Sequence, residues 1–184
     1  MKKKILVTGG DGRFAKVLKK NNKKLDLLFA SKSQCNILNL NSIVKIVKKV
    51  KPKILIHCAG LSRPMKIHEK NISKSIDLNI IGTANITKVC QKYKIKLIYF
   101  STNYVYPYKK GFYRESDSIN PSNNYAWSKL GGECAVQLYK NSLILRVCMT
   151  EYPFIHKYAY TNMYTNFIYH KDLIKILEKV YNKF

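Results

Sequence analysis

Tyr125 and Lys129 stand four residues apart in Tyr125-Ala126-Trp127-Ser128-Lys129, which places a phenol and an ammonium on one face of a helix. Such a pair suits proton transfer to an alkoxide. A free phenol titrates near ~10, and a neighbouring cation favours phenolate and draws that value toward neutrality. With 14 Tyr and 30 Lys in 184 residues, about two Tyr-x-x-x-Lys pairs are expected by chance, and two are present. The other, Tyr106/Lys110, encloses Pro107, which a helix interior does not tolerate. Setting therefore decides between them. Tyr125 falls on a helical stretch soon after Pro121, and the hydroxyls of Ser101-Thr102 end an apolar run 23–24 residues upstream.

The second chemical signal is Thr8-Gly9-Gly10-Asp11-Gly12-Arg13-Phe14-Ala15. It follows an apolar run and opens an amphipathic stretch. Glycines there permit a sharp bend and close approach to a pyrophosphate, while the helix offers its first amides and positive dipole end. Ala15 supplies the small residue for helix–strand packing. The second apolar run ends Phe29-Ala30-Ser31-Lys32-Ser33, with no carboxylate for a free adenosine ribose. Ser31 and Lys32, with Arg13, suit a 2′-phosphate, so NADP is expected ahead of NAD.

These residues need a scaffold, and the hydrophobic pattern supplies one. Apolar runs at 4–8, 25–30, 53–58, 95–101 and 142–147 read as strands. Between them, amphipathic stretches at 13–20, 42–50, 73–93, 122–139 and 171–181 read as helices. The alternation predicts an α/β, doubly wound parallel sheet of the Rossmann type in three α/β/α layers. Residues 1–148 would form the NAD(P)-binding domain. Residues 149–184, a substrate-side segment and closing helix, would belong to the same globular unit. Irregular stretches at 102–121 and 149–167 should lie beyond the carboxyl ends of the strands, where ligands bind.

The net charge of +24 comes from 34 basic against 10 acidic residues. Thirty of the basic residues are Lys, spread along the chain, and Lys, Ile, Asn and Tyr together number 80. All four have AT-rich codons, so genome composition accounts for the excess better than a nucleic-acid footprint, which favours Arg clusters. No apolar run approaches the ~18 residues of a membrane span. Met1-Lys2-Lys3-Lys4 is followed by only three apolar residues, too few for a secretion signal. Five cysteines without C-x-x-C spacing suit reduced thiols in the cytoplasm, and the four scattered histidines suggest no metal site.

In order, Thr8-Gly9-x-x-Gly12-x-x-Ala15, His57-Cys58-Ala59-Gly60, Asn79-x-x-Gly82-Thr83-x-Asn85, Ser101-Thr102-Asn103-Tyr104-Val105-Tyr106 and Tyr125-x-x-Ser128-Lys129 resemble the extended short-chain dehydrogenase/reductase superfamily, in its sugar-nucleotide branch. Leu145-Arg146 and Phe167-Ile168-Tyr169-His170-Lys171-Asp172 are also similar to family segments. The Ser-Thr-Asn-Tyr-Val-Tyr stretch looks most like the dTDP-4-dehydrorhamnose reductases. The resemblance implies Tyr125 as acid/base, Lys129 tuning it and bonding the nicotinamide ribose, and Thr102 on the substrate carbonyl with Ser101 as understudy. It also implies Asn79 holding the long helix and a water relay to Lys129. An ordinary helix-surface amide is the plainer reading of Asn79. Gly9, Asp11, Gly12, Arg13, Phe14, Ser31, Lys32, Asn36, Ile37, Cys58, Ala59 and Gly60 would line the cofactor. Asn36 replaces an aspartate common in the family.

Only 149–167 lies between the fifth strand and the closing segment, so little chain is expected to cover a substrate. Arg146, Tyr152, His156 and Lys157 are candidates for an anionic group. Three functions stay open. They are an NADP-dependent reductase of a keto-sugar nucleotide or smaller carbonyl, an epimerase or dehydratase using NAD reversibly, and a non-catalytic NADP-binding sensor or scaffold. Resemblance also implies helices 73–93 and 122–139 as the face of a homodimer.

Overall fold

Five short apolar runs pair into one parallel sheet in the computed structural model, which describes residues 3–108, 111–155, 157–158 and 165–183. The strands are β1 (Lys4–Thr8), β2 (Asp26–Ala30), β3 (Ile54–His57), β4 (Lys96–Ser101) and β5 (Ser142–Arg146), in spatial order β2-β1-β3-β4-β5. The order reverses between β1 and β3, so their carboxyl ends diverge into a crevice where ligands of such sheets bind. Register brings the crevice residues side by side: Thr8 lies opposite Ala30 on one flank and His57 on the other, and His57 lies opposite Tyr99.

Strand alternation divides the core into two layers. Leu6, Leu55, Leu97 and Tyr99 face α2 (Leu40–Val50), α5 (Gly82–Lys92) and α6 (Asn124–Gln137). Ile5, Val7, Ile54, Ile56, Ile98 and Phe100 pack with Phe14 and Leu18 of α1 (Arg13–Asn21) and Leu173, Ile174 and Leu177 of α7 (His170–Lys183). A sheet covered on both faces requires strands apolar on both sides, which explains the near-continuous runs. The three-layer α/β/α architecture predicted from the sequence is the one observed.

Two segments differ from the expectation. The helix expected over 73–93 is a composite: α3 (Ile67–Lys70), α4 (Ile72–Ser75), a π-helical turn (Ile76–Ile81), then α5. The π turn carries Asn79 inward, and such turns often mark functional sites. The stretch 149–167 was expected to be irregular. Instead β6 (Cys148–Thr150) pairs in parallel with β7 (Phe167–Tyr169), the strand leading into α7. Three-residue strands carry no readable period, so only the folded chain reveals them. His156, Lys110 and 159–164 lie outside the described residues. No helix among the described residues is long and apolar enough to cross a membrane.

Candidate active site

The glycine turn builds one side of the crevice. Gly9 has φ +66°, and a side chain there would place its Cβ 2.7 Å from the Ala59 backbone nitrogen. The turn thus passes against the strand exit carrying Cys58-Ala59-Gly60, and only glycine fits. Gly12 N–H donates to the Gly9 carbonyl at 2.9 Å. Gly12 is also the cap residue of α1, which has no side-chain cap and no acid in its first turn. The first amides of α1 are therefore free of protein carboxylates, as an anion site needs. Phe14 keeps its ring in the core, edge-on to Phe100 at 5.3 Å, so only its backbone faces the turn.

The flanking residues divide. Ser31 Oγ shares a hydrogen bond with Ser33 Oγ at 2.8 Å, and Lys32 is exposed beyond β2. Asn36 Oδ1 accepts from Leu38 N–H at 3.1 Å, and buried Ile37 packs beneath Gly82. Arg13 was expected beside Ser31 and Lys32. Its guanidinium instead reaches across the β3 side, donating to Ser62 Oγ at 3.4 Å and lying 3.6 Å from Glu151. Since β2 and β3 lie on opposite sides of β1, Arg13 lies on the β3 side of the crevice, away from Ser31 and Lys32.

Tyr125 and Lys129 project from α6, whose first turn is capped by Asn123 accepting from Ala126 N–H at 2.8 Å. The Tyr125 ring sits between His68, tilted at 5.1 Å, and Tyr104, edge-on at 6.2 Å. Burial pushes its phenol up to about 12. A hydrogen bond with Thr102 and the charges of Arg63 and Arg13 pull the other way. The sequence suggested that Lys129 would lower this value; the cations that do so are the two arginines. Lys129 is itself desolvated and pushed down to about 7 by burial, with Cys58 and Glu133 opposing. Its ammonium rests 4.2 Å from the centre of the Tyr99 ring.

Thr102 is buried and Ser101 sits behind it, its Oγ buried without a hydrogen-bond partner. Asn79 is 1% exposed, not the surface amide of the plainer reading. Its Oδ1 accepts from Leu61 N–H at 2.7 Å; its Nδ2 donates to Leu61 O and Ser128 Oγ, both at 2.9 Å. It thereby joins the loop after β3 to the helical turn between Tyr125 and Lys129. Below it, His57 shares hydrogen bonds with Thr8 Oγ1 at 2.8 Å and Thr83 Oγ1 at 3.2 Å, and burial pushes its pKa down to about 3.

Of the residues suggested for an anionic substrate, Arg146 is otherwise engaged. It donates to Glu133 through Nε at 3.0 Å and Nη2 at 2.5 Å, and to the Tyr106 hydroxyl at 2.6 Å. A guanidinium saturated in this way ties α6, β5 and the loop after β4 together. Tyr152 is exposed and edge-on to Tyr169 at 5.4 Å, and Lys157 lies over the Tyr158 ring. Sequence reasoning missed Tyr99, His68, Arg63 and Glu151. Only Tyr99 had a signal, since strand alternation puts it on the same face as Ser101. Among the described residues no three His, Cys, Asp or Glu side chains gather as a metal site would require.

Fold and site together define a Rossmann-fold protein of the extended, sugar-nucleotide reductase-like class. The chain belongs to the RmlD substrate binding domain family, whose model matches residues 2–163. It is 28% identical over 152 residues to a dTDP-4-dehydrorhamnose reductase of Aggregatibacter actinomycetemcomitans, covering 80% of this chain and 51% of that protein. It is 30% identical over 140 residues to methionine adenosyltransferase 2 subunit beta of Danio rerio, covering 71% and 42%. The chain thus spans about half the length, or less, of these curated relatives. In fold it is similar to the dTDP-4-dehydrorhamnose reductase of Bacillus anthracis, solved in complex with NADP. The TM-score is 0.84 at 24% identity, covering 99% of this chain and 71% of that one.

Proposed function

We propose that the protein is an NADPH-dependent reductase of a carbonyl compound, in the first instance a 4-keto-sugar nucleotide of the dTDP-4-dehydrorhamnose type. The observation that carries this reading is Tyr125 and Lys129 one helical turn apart on α6, with the Tyr125 ring edge-on to Tyr104, two residues beyond buried Thr102. Family membership and the reductase names of its relatives support it. The crevice fits a dinucleotide. Gly9 leaves a cradle that a Cβ would fill, the α1 amides have no competing cap, and Ser101 holds an unmatched buried hydroxyl.

In this reading the amides of Arg13 and Phe14, which open α1, receive the diphosphate, with Gly9 and Gly12 leaving room for it and Asp11 at the tip of the turn. Ser31 and Lys32 receive the 2′-phosphate, while the backbone of Asn36 and Ile37 borders the adenine. Cys58, Ala59 and Gly60 flank the nicotinamide, and Lys129 bonds its ribose. The cofactor, when bound, supplies the hydride. Thr102 orients the substrate carbonyl toward Tyr125. The phenol, kept protonated through the neutral range by its burial, gives its proton to the carbonyl oxygen as alkoxide charge develops. Arg63 and Arg13 stabilise the phenolate that remains.

In an NADPH-oxidation assay with a dTDP-4-keto-6-deoxyhexose, Tyr125→Phe should lower kcat by about 10²–10⁴-fold while NADPH affinity changes little. Turnover by Tyr125→Phe at the wild-type rate would remove the phenol from the chemistry. Fluorescence titration should show tighter binding of NADPH than NADH, and equal affinities would remove the 2′-phosphate role of Lys32. A second reading, a cofactor-binding subunit without turnover, is favoured by the relatives named as a subunit of methionine adenosyltransferase 2. Intact NADPH binding with no turnover by the wild type would select it.

A further inference from the structure

Tyr99 belongs to none of the motifs that marked the site, yet the deepest contacts of the catalytic pair converge on it. It lies in the middle of β4, fully buried, on the face covered by α5 and α6. Its hydroxyl donates to the Lys129 carbonyl at 3.0 Å, and its ring centre lies 4.2 Å from the Lys129 ammonium. One side chain thus holds Lys129 at both ends, backbone and charge.

The surroundings are arranged to permit this double grip. A Cβ at Gly132 would lie 2.7 Å from the Tyr99 hydroxyl and would collide with the Asn79 carbonyl. The absence of a side chain at Gly132 therefore lets α6 settle directly on the phenol. Thr83 Oγ1 lies with the Tyr99 hydroxyl around Gly132 and shares a hydrogen bond with His57 Nε2 at 3.2 Å. His57 stacks on the ring at 5.9 Å with 26° between planes, fixing the plane that meets the ammonium. A cation over an aromatic face is attracted by the ring quadrupole, more strongly once water is excluded. Lys129, half-buried against the ring, gains this attraction in its protonated form.

We propose that Tyr99 is the positioning residue of the catalytic pair, its ring face carrying the Lys129 ammonium and its hydroxyl fixing the turn of α6 that bears Lys129 and Tyr125. The inference rests on the reductase reading for its kinetic consequence, but its geometric content stands apart from turnover. Tyr99→Phe keeps the ring and loses the hydroxyl. Tyr99→Leu removes the ring and fills the space with water-excluding carbon.

Two measurements test it. In the NADPH-oxidation assay, Tyr99→Phe should lower kcat by about threefold and Tyr99→Leu by about tenfold or more, with KM for the carbonyl substrate unchanged, as for loss of an interaction made in the transition state. Because Leu withdraws the quadrupole without admitting water, Lys129 should lose its proton at lower pH. The alkaline limb of the kcat profile should move down with it, whereas Tyr99→Phe should keep the wild-type limb. A merely structural role would lower the amount of folded protein and leave that limb in place. Separately, in ¹H–¹³C spectra of ¹³C-lysine-labelled protein assigned with Lys129→Arg, the ring current should shift the Lys129 ε-protons upfield in wild type and Tyr99→Phe. It should not do so in Tyr99→Leu. An unshifted Lys129 in the wild type overturns the proposal, as does a folded Tyr99→Leu with wild-type kcat and pH profile. If Tyr99→Leu fails to fold, the wild-type and Tyr99→Phe spectra decide. If the wild type turns over no carbonyl, the reductase reading fails and the lysine spectra still decide this one.

Discussion

Beneath Tyr125 and Lys129, hydrogen bonds link Thr8, His57 and Thr83, buried and neutral, and Tyr99 stacks on the His57 ring. The wall contributed by residues 148–155 and 165–169 is fastened instead by one carboxylate shared between two guanidiniums. Arg63 donates to both Glu151 oxygens, at 3.2 and 3.3 Å, and Arg13 lies 3.6 Å from one of them. The floor groups are buried and uncharged, so their geometry follows from the core. The wall depends on partly exposed charges, next to exposed Tyr152, Phe154 and Phe167 and an apolar hollow of about 210 Å³ lined by Thr150, Phe154, Phe167 and Tyr169. The difference teaches that the setting of Tyr125 and Lys129 is fixed by the sheet, while the segment beside it is held by forces that salt and substitution change easily.

Substituting Asn79 by Ala should have the largest effect on this contrast. It removes three hydrogen bonds, one buried and two part-buried, and leaves the Leu61 backbone unmatched, at a cost of about 2–4 kcal/mol in urea unfolding. A loss under about 1 kcal/mol would mean the floor is not held as described.

An acid-sensitivity experiment tests the floor through His57. Its pKa is pushed from 6.5 down to about 3 in the folded chain, so between those values the unfolded chain binds more protons. The contribution is complete above the ordinary value and is lost as pH falls from about 6.5 toward 3. Tm should therefore drop between neutral pH and pH ~4.5, and His57→Gln should flatten that dependence. An equally steep fall in His57→Gln would assign it to other groups.

Glu151→Gln should have the smallest effect, about 0.5–1 kcal/mol, because the pairs it breaks are partly screened. Wild-type stability should fall by a similar amount on adding salt, and the variant's should not. A loss as large as that of Asn79→Ala would erase the distinction between floor and wall.

Much of the floor was legible in the sequence. The glycine turn lies between a short apolar run and an amphipathic stretch, so its chemistry and setting are local. The same holds for Tyr125 and Lys129, joined by one helical turn. Asn79 was legible as a candidate but not as a buried one, because a π turn shifts the helical period that a sequence reading assumes. Glu151 was invisible, since it meets a partner 88 residues away in a chain where positive charge is everywhere. Arg146 was misread for the same reason. A basic residue near a substrate segment suggests an anion, yet its contacts go to Glu133 and Tyr106.

By itself the sequence determined the parallel α/β/α fold, the tight glycine turn after β1 and the placing of Tyr125 and Lys129 on one helical face, because strand alternation, helical period and glycine conformation act over a few neighbouring residues. Only the tertiary structure decided which charges touch. It turned Arg13 from the β2 side to the β3 side, closed Glu151 onto Arg63, and placed the Tyr99 ring under Lys129. Those contacts join residues remote in the chain, so no local rule of spacing or period reveals them before the layers have packed.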